Sequence, residues 1–433
     1  MNAMSTLTPS RSLLTLTALS LLVGAASGLM AAIFRLALEH VDRGRDVLLV
    51  WAHGRTLGFF PVIALGATAA ALAAWLVRRY SPHASGSGIP QVEAVLSGAL
   101  PQAPYRLIPV KFFGGLLAIG SGLALGREGP SVQMGATVSH LLGATFRCND
   151  DDCRALLAAG AGAGLATAFN APIAGAVFVL EELVSRFDTR ITIVTLGASA
   201  GAIAVARLIL GDAPDFHVAA LPYPAFGTVP IHLALGIGLG GLGVAYNRTI
   251  IGTLGAMDRL RRWPAELRAG LVGAVVGLLA WFAPGLVGGG DVITQRALDG
   301  TDTAAMLSLV FLLRFGLGAV SYAAGAPGGL FAPMLVLGSQ GGVFFGILCR
   351  HWLPAALPPA AFGVVGMAAF FTAVVRAPVT GIVLVAEMTG SFTLLLPMLG
   401  ACCTAMLVPT WFGNAPIYDS LRERTLRTAG REK

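Results

Sequence analysis

Charge is scarce in this sequence. Of its 433 residues only 12% are Asp, Glu, Lys or Arg, half the roughly 25% typical of soluble domains. That shortage excludes an ordinary water-soluble fold. Nucleic acid is excluded as a partner too, although the formal net charge is +7. Much of the excess sits in short clusters, Asp258-Arg-Leu-Arg-Arg262 and Arg422-Glu-Arg-Thr-Leu-Arg427 with Arg431-Glu-Lys433, which read as positive-inside anchors of a cytoplasmic loop and tail. No polar block reaches domain size, so function is confined to the membrane and its margins. The seven histidines are scattered and never form His-Glu-x-x-His, the spacing that a zinc hydrolase helix requires. Five cysteines, Cys148, Cys153, Cys349, Cys402 and Cys403, show no paired framework. Cys148-Asn-Asp-Asp-Asp-Cys153 has no histidine nearby and reads as a polar loop between helices, not a metal site. A phosphate-binding loop is missing, so no ATP-driven step is expected. Gly238-Leu-Gly-Gly-Leu-Gly243 matches a dinucleotide fingerprint by letter, but no strand precedes it and helix packing is the better reading. Neither an enzyme, nor a cofactor, nor a metal is expected.

Apolar length is what the chain has instead. Hydrophobic residues make up 55% of it, in stretches that approach the roughly 20 residues needed to cross a bilayer as helix. Spans are expected near 12–38, 57–78, 87–100, 107–125, 130–145, 155–169, 172–184, 191–210, 229–252, 268–284, 305–323, 332–353, 361–375, 378–388 and 391–412. This is the pattern of an all-α polytopic membrane protein. Arg11 followed by Leu13 to Ile33 resembles a signal peptide, but the apolar run is too long and continues into Phe34-Arg-Leu-Ala-Leu38, so an uncleaved first helix is expected. Gly88 to Leu100, Ile173 to Leu183 and Val379 to Glu387 are too short to cross alone and suggest half-helices. The 56 glycines suit close helix contacts and broken helices.

The two halves of the chain match. Gly162 to Glu181 resembles Ala368 to Glu387, with Pro172 and Pro378, like Glu181 and Glu387, 206 residues apart. Gly129-Pro130 falls opposite Ala332-Pro333 at a spacing of 203, and Gly86 opposite Gly288 at 202. We therefore expect a single transmembrane transport domain over 1–433, with one repeat at about 57–211, a second at about 268–412 and a short basic tail at 419–433. Duplicated membrane folds place their substrate where broken helices of the two repeats meet; spacing alone leaves parallel and inverted repeats both open.

Four breaks interrupt the apolar runs. Gly126-Arg127-Glu128-Gly129-Pro130 places a carboxylate where one apolar segment ends and another begins. Broken backbone in lipid survives only where protein buries it or water lines it, and an ionisable residue there is a functional-site candidate. Pro130 suits the first turn of a helix, whose free amides attract anions; Glu128 is an anion at that spot and competes with a transported one. Gly86-Ser87-Gly88-Ile89-Pro90 offers amides and one hydroxyl. Gly329-Leu330-Phe331-Ala332-Pro333 offers amides without charge, a halide site that can also release its ion. The fourth break, Asn414-Ala-Pro-Ile-Tyr418, brings Tyr418. Lys111 is either a structural partner or a source of positive potential. Glu181 and Glu182 end a half-helix and could deliver protons to Glu128 by a separate route.

These motifs, in this order and spacing and across nearly the whole chain, resemble the CLC family of chloride channels and chloride/proton exchangers, specifically its short bacterial exchanger branch. The resemblance implies a homodimer with one pathway per subunit and two inverted-topology repeats, whose half-length helices meet at a mid-membrane anion site. It implies that Ser87, Tyr418 and the amides of Leu330 and Phe331 bind the anion, that Glu128 is the outward-facing gate, and that Glu182 is the internal proton-transfer residue. Glu182 then favours exchange over a passive channel, and Ser87 favours chloride over nitrate. Gln91 departs from the acidic residue often found there, which touches the internal proton route. The chain stops soon after Tyr418, so the cytoplasmic regulatory domain of larger relatives is not expected. The function implied is proton-coupled chloride transport in a bacterial inner membrane; a passive channel and a fluoride or nitrate exchanger are the competing readings.

Overall fold

The computed structural model describes residues 12–219, 221, 223–352 and 358–431; Arg11, Glu432 and Lys433 lie outside it. The described residues form seventeen α-helices and no strand: α1 (Leu13–His53), α2 (Phe59–Tyr80), α3 (Ile89–Leu96), α4 (Leu107–Gly120), α5 (Glu128–Thr145), α6 (Asp150–Phe169), α7 (Pro172–Phe178), α8 (Thr189–Leu210), α9 (Val229–Arg259), α10 (Ala265–Phe282), α11 (Asp291–Leu298), α12 (Ala304–Ala323), α13 (Phe331–Trp352), α14 (Pro359–Val375), α15 (Pro378–Thr389), α16 (Leu395–Trp411) and α17 (Ile417–Arg431). Seven of them are long and apolar enough to cross a bilayer. This is a multi-pass membrane protein.

Helix starts follow local chemistry. Proline occupies the first turn of α3, α7, α14 and α15, where its missing N–H has no partner to lose. Asn149 caps α6 by accepting from the Asp152 amide at 2.8 Å, and Asp150, Asp151 and Asp152 sit in that first turn, where the helix dipole favours negative charge. The stretch between Cys148 and Cys153 is therefore a helix start, not the polar loop expected.

Some boundaries move. α1 continues past residue 38 to His53 and α9 past 252 to Arg259, while α3 stops at Leu96 and α4 at Gly120. The extension of α1 opens with a polar stretch, 39–46, that carries ion pairs at helical spacing, Arg35–Glu39 at 3.4 Å and Arg45–Asp42 at 2.7 Å, and this stretch interrupts the apolar periodicity before Val47. α11 and α17 were not expected at all; neither is apolar enough to stand out. Gly238 to Gly243 lies inside α9, as packing required.

The repeat is now element by element. α3 begins 202 residues before α11, α5 begins 203 before α13, and α7 begins 206 before α15. Even irregular residues recur: Asn170 and Arg376, 206 residues apart, end α6 and α14 in left-handed backbone at φ 50° and 77°. Two hydrogen-bond sets give the repeats' relative direction. Glu181, at the C-terminal end of the α7 segment, accepts from the amides of Val379 (3.0 Å) and Thr380 (2.6 Å) at the start of α15. Glu387, at the C-terminal end of α15, accepts from Ile173 (3.1 Å) and Ala174 (2.8 Å) at the start of α7. Tail-to-head capping in both directions makes α7 and α15 antiparallel, so the repeats are inverted. α2 and α10 meet just as closely: a Cβ on Gly66 would lie 2.6 Å from the Gly273 carbonyl oxygen, which is why small residues face there.

Lys111 has a counterpart. Its Nζ is buried and donates to the carbonyls of Ala84 (3.1 Å) and Gly86 (2.7 Å). Arg314, 203 residues later and equally buried, donates to Leu286 (3.2 Å), Gly288 (2.8 Å) and Gly289 (3.0 Å). Each cation holds the loop that enters a half-helix, α3 or α11, so Lys111 is a structural partner. Replacing Lys111 or Arg314 by Met strands buried carbonyls at about 1–3 kcal/mol each. Both variants should unfold at lower temperature in detergent. An unchanged midpoint would mean that backbone bonds alone hold that loop.

Candidate functional site

The breaks converge and satisfy one another. The Gly86 amide donates to Ala326 (3.2 Å) and the Gly328 amide to Gly86 (3.0 Å), while Gly126 and Gly329 exchange two bonds of 2.9 and 2.7 Å. Gly86 and Gly88 take φ of 62° and 90°, left-handed backbone that costs a side-chain-bearing residue free energy. At Gly329 there is no room for a Cβ, which would come 2.9 Å from the Gly129 amide nitrogen. Three loops from two repeats thus meet as one hydrogen-bonded knot.

Four helix starts point into this knot. α3 follows Ser87 and Gly88, α5 begins at Glu128, and α13 begins at Phe331; their first amides have no intrahelical acceptor. α17 brings Tyr418 in its first turn. Ser87 and Tyr418 are fully buried, and neither hydroxyl has a hydrogen-bond partner among the described residues. A Cβ on Gly129 would lie 2.5 Å from Ser87 Oγ, so that hydroxyl sits against the start of α5. Phe331 stacks on Tyr418 (centroids 6.1 Å apart) and packs against Phe169, Phe178 and Phe371 at 5.9, 5.6 and 4.8 Å. The Leu330 and Phe331 amides therefore head a helix inside an aromatic collar. Ser87, Leu330, Phe331 and Tyr418, distant in sequence, are brought to one place.

Glu128 is 1% exposed. Its carboxylate lies over Gly126 and faces the amides of Glu128 and Ala332, the starts of α5 and α13; Oε2 has no hydrogen-bond partner among the described residues. Arg127 does not pair with it. Instead Arg127 binds Asp291 (3.2 Å), Asp215 (3.4 Å) and the Ala168 carbonyl (3.1 Å), which ties the charged break to α11, α6 and the segment before α9. A cavity of about 710 Å³, lined by Arg35, Asp42, Arg45 and Asp291 among others, ends at Arg127 and Glu128. A second, of about 260 Å³, is lined by Gly86, Gln91, Tyr322 and Arg424 of α17. The knot lies between the two.

Glu181 and Glu182 sit in a π-helical turn, Val179–Leu183, closed by Val184 N donating to Val179 O at 2.9 Å. π turns reorient successive side chains and recur at functional sites. Here Glu181 goes to cap α15, whereas the charged neighbours of Glu182 are Glu93, Asp419, Glu181 and Arg422. Tyr418 is within electrostatic range of Glu182, Glu93 and Glu128. Glu93 was missed from sequence: it is 4% exposed, on α3. A carboxylate three residues after Pro90 in an apolar half-helix was the available signal. Tyr322 was also missed; its hydroxyl accepts from the Ser87 amide at 3.5 Å, and no local pattern marks it.

Comparison with known proteins agrees with this geometry. Residues 69–410 match the voltage-gated chloride channel family. The H(+)/Cl(-) exchange transporter ClcA of Cronobacter sakazakii is 39% identical over 424 residues, covering 95% of this chain and 90% of that protein. ClcA of Vibrio cholerae is 38% identical over 422 residues, covering 94% of this chain and 89% of its own length. The crystal structure of a slow cyanobacterial Cl-/H+ antiporter superposes with a TM-score of 0.90 at 34% identity, covering 95% of this chain and 98% of that one. With its match extending over most of the sequence, the chain belongs to the voltage-gated chloride channel (CLC) family.

Proposed function

We propose that this protein exchanges chloride for protons across a bacterial inner membrane, as a transporter and not an enzyme. The observation that carries the reading is the placement of Glu128. A buried carboxylate lies on the amides of two helix starts, between an open cavity and the buried hydroxyls of Ser87 and Tyr418. Deprotonated Glu128 is a tethered anion, and it blocks the path that chloride would take. Protonation removes its charge, the amides no longer hold it, and chloride competes for them. The exchange of places links anion movement in one direction to proton movement in the other without a nucleotide. Chloride is held by dipoles alone, the Ser87 and Tyr418 hydroxyls and the Leu330 and Phe331 amides, so it can leave again. Glu182 supplies protons from the face that bears α17. The basic residues of α17 and of the α9–α10 loop support a cytoplasmic assignment of that face, with the 710 Å³ cavity as the outer mouth.

The protein works as a homodimer of one transport domain per chain, with repeats at about 57–211 and 268–412. The supporting surface runs over α7, α8, α15 and α16, where Ile173, Leu196, Val379, Leu396 and Leu399 are exposed. Glu181 and Glu387 are only partly buried beside it, and carboxylates facing lipid are costly. A second copy would cover both.

In chloride-loaded liposomes under an imposed chloride gradient, the wild type should drive protons uphill. Glu128→Gln mimics the protonated gate and should abolish proton movement while chloride still flows; intact coupling would sink the assignment. Glu182→Gln should lose proton movement selectively, and retained proton flux would return it to a helix-end carboxylate. Ser87→Ala combined with Tyr418→Phe should weaken chloride binding by calorimetry about fivefold or more, from about 0.5–1.5 kcal/mol per hydroxyl. Unchanged affinity would move the anion elsewhere.

A further inference from the structure

α17 carries a cation to a buried carboxylate. Glu93 of α3 is 4% exposed, and neither carboxylate oxygen has a hydrogen-bond partner among the described residues. Such a group is expensive to bury ionised unless a counter-charge is near. Arg422 provides one: its Nη1 lies 3.7 Å from Glu93 Oε2, while its Nη2 lies 2.8 Å from Asp419 Oδ1. The two acids differ sharply in environment, with side chains 3% exposed at Glu93 and 46% at Asp419. The guanidinium is thus divided between a wet carboxylate and a dry one. Among the described residues, the charged groups acting on Glu93 are Arg422 and Asp419 of α17, and those acting on Glu182 are Glu93, Asp419, Glu181 and Arg422, so Arg422 is the cation that faces both.

Helix geometry links this cation to the anion path. Tyr418 and Arg422 are four residues apart on α17, so they share one face and project one turn from each other. A single helical turn presents a hydroxyl to the candidate chloride site and a guanidinium to the carboxylates beside Glu182.

We propose that Arg422 is a positioning residue of the proton branch: held between Asp419 and Glu93, it opposes protonation of Glu93 and of the half-buried Glu182 beside it and sets the cytoplasmic pH at which that pair loads a proton. This rests on the proton-transfer role proposed for Glu182. The cation opposes proton binding, so the pair releases its proton readily toward Glu128. Loss of the cation makes the pair hold protons at higher pH. Loss of Asp419 leaves the guanidinium wholly to Glu93 and removes a repelling charge, which acts in the opposite direction.

The test measures proton flux in liposomes as a function of the pH on the α17 face, at a fixed chloride gradient, with chloride flux followed in parallel. For Arg422→Gln the midpoint of the proton-flux profile should move to alkaline pH by about one unit, the low end for a charge at this distance because the side chain is 35% exposed and shared. Asp419→Asn should move it to acid pH, and Arg422→Lys should stay near the wild type. If α17 merely needed this ion pair to dock, both neutral variants would lower the two fluxes together and leave the midpoint in place. Unmoved midpoints, or shifts of the same sign in Arg422→Gln and Asp419→Asn, overturn the inference while Glu182→Gln still abolishes proton flux. Retention of proton flux in Glu182→Gln would overturn the proton-branch reading and this inference with it.

Discussion

Backbone that leaves a helix inside a bilayer must find its hydrogen bonds in protein, because lipid offers none. In this chain the broken segments find them in each other. Gly86 bonds to Ala326 and Gly328, Gly126 to Gly329, and the Gly288 amide to the Gly122 carbonyl at 2.7 Å. Every such bond joins the first repeat to the second. Amides that the loops do not use face inward at the starts of α3, α5 and α13, and they make the spot attractive to anions.

Around this knot the scaffold is symmetric and the chemistry is not. Lys111 and Arg314 hold equivalent loops, and Glu181 and Glu387 cap equivalent half-helices. At the two positions proposed for gating and proton transfer the symmetry is broken. Glu128 of the first repeat stands where the second has Phe331, 203 residues on, and Glu182 stands where the second has Met388, 206 residues on. Duplication supplied a stable frame twice; only one copy carries each carboxylate. The π turn at Val179–Leu183 adds to this, since the matching part of α15 is regular helix and holds one structural glutamate.

Much of this was legible in the sequence, for identifiable reasons. The breaks announce themselves because Gly and Pro interrupt otherwise continuous apolar runs, and the spacings near 202 to 206 expose the duplication without any structure. Inversion was not readable from spacing, since it depends on which helix ends meet; the reciprocal caps of Glu181 and Glu387 supplied it. α11 and α17 escaped because amphipathic polar helices leave no apolar signature. Lys111 stayed ambiguous for want of its partner, although Arg314 lies at the repeat spacing and could have been found by applying it. Glu93 could have been found as a carboxylate in an apolar half-helix, whereas Tyr322 became visible only when folding placed its hydroxyl beside the Ser87 amide, a contact between elements far apart in the chain.

The reciprocal caps also bear on how the protein is made. The start of α7 is satisfied by Glu387, with 214 residues between Ile173 and its acceptor. At about 5–20 residues per second of synthesis, that acceptor emerges roughly 10–40 s after the helix it completes. Throughout that interval the first repeat sits in or beside the bilayer with its half-helix uncapped and the Gly86 and Gly126 loops lacking their second-repeat partners. It cannot finish as an independent unit. Synthesis therefore delivers the first repeat well before the acceptors that complete it, and a chain that stops between α7 and α15 lacks the cap of α7 altogether.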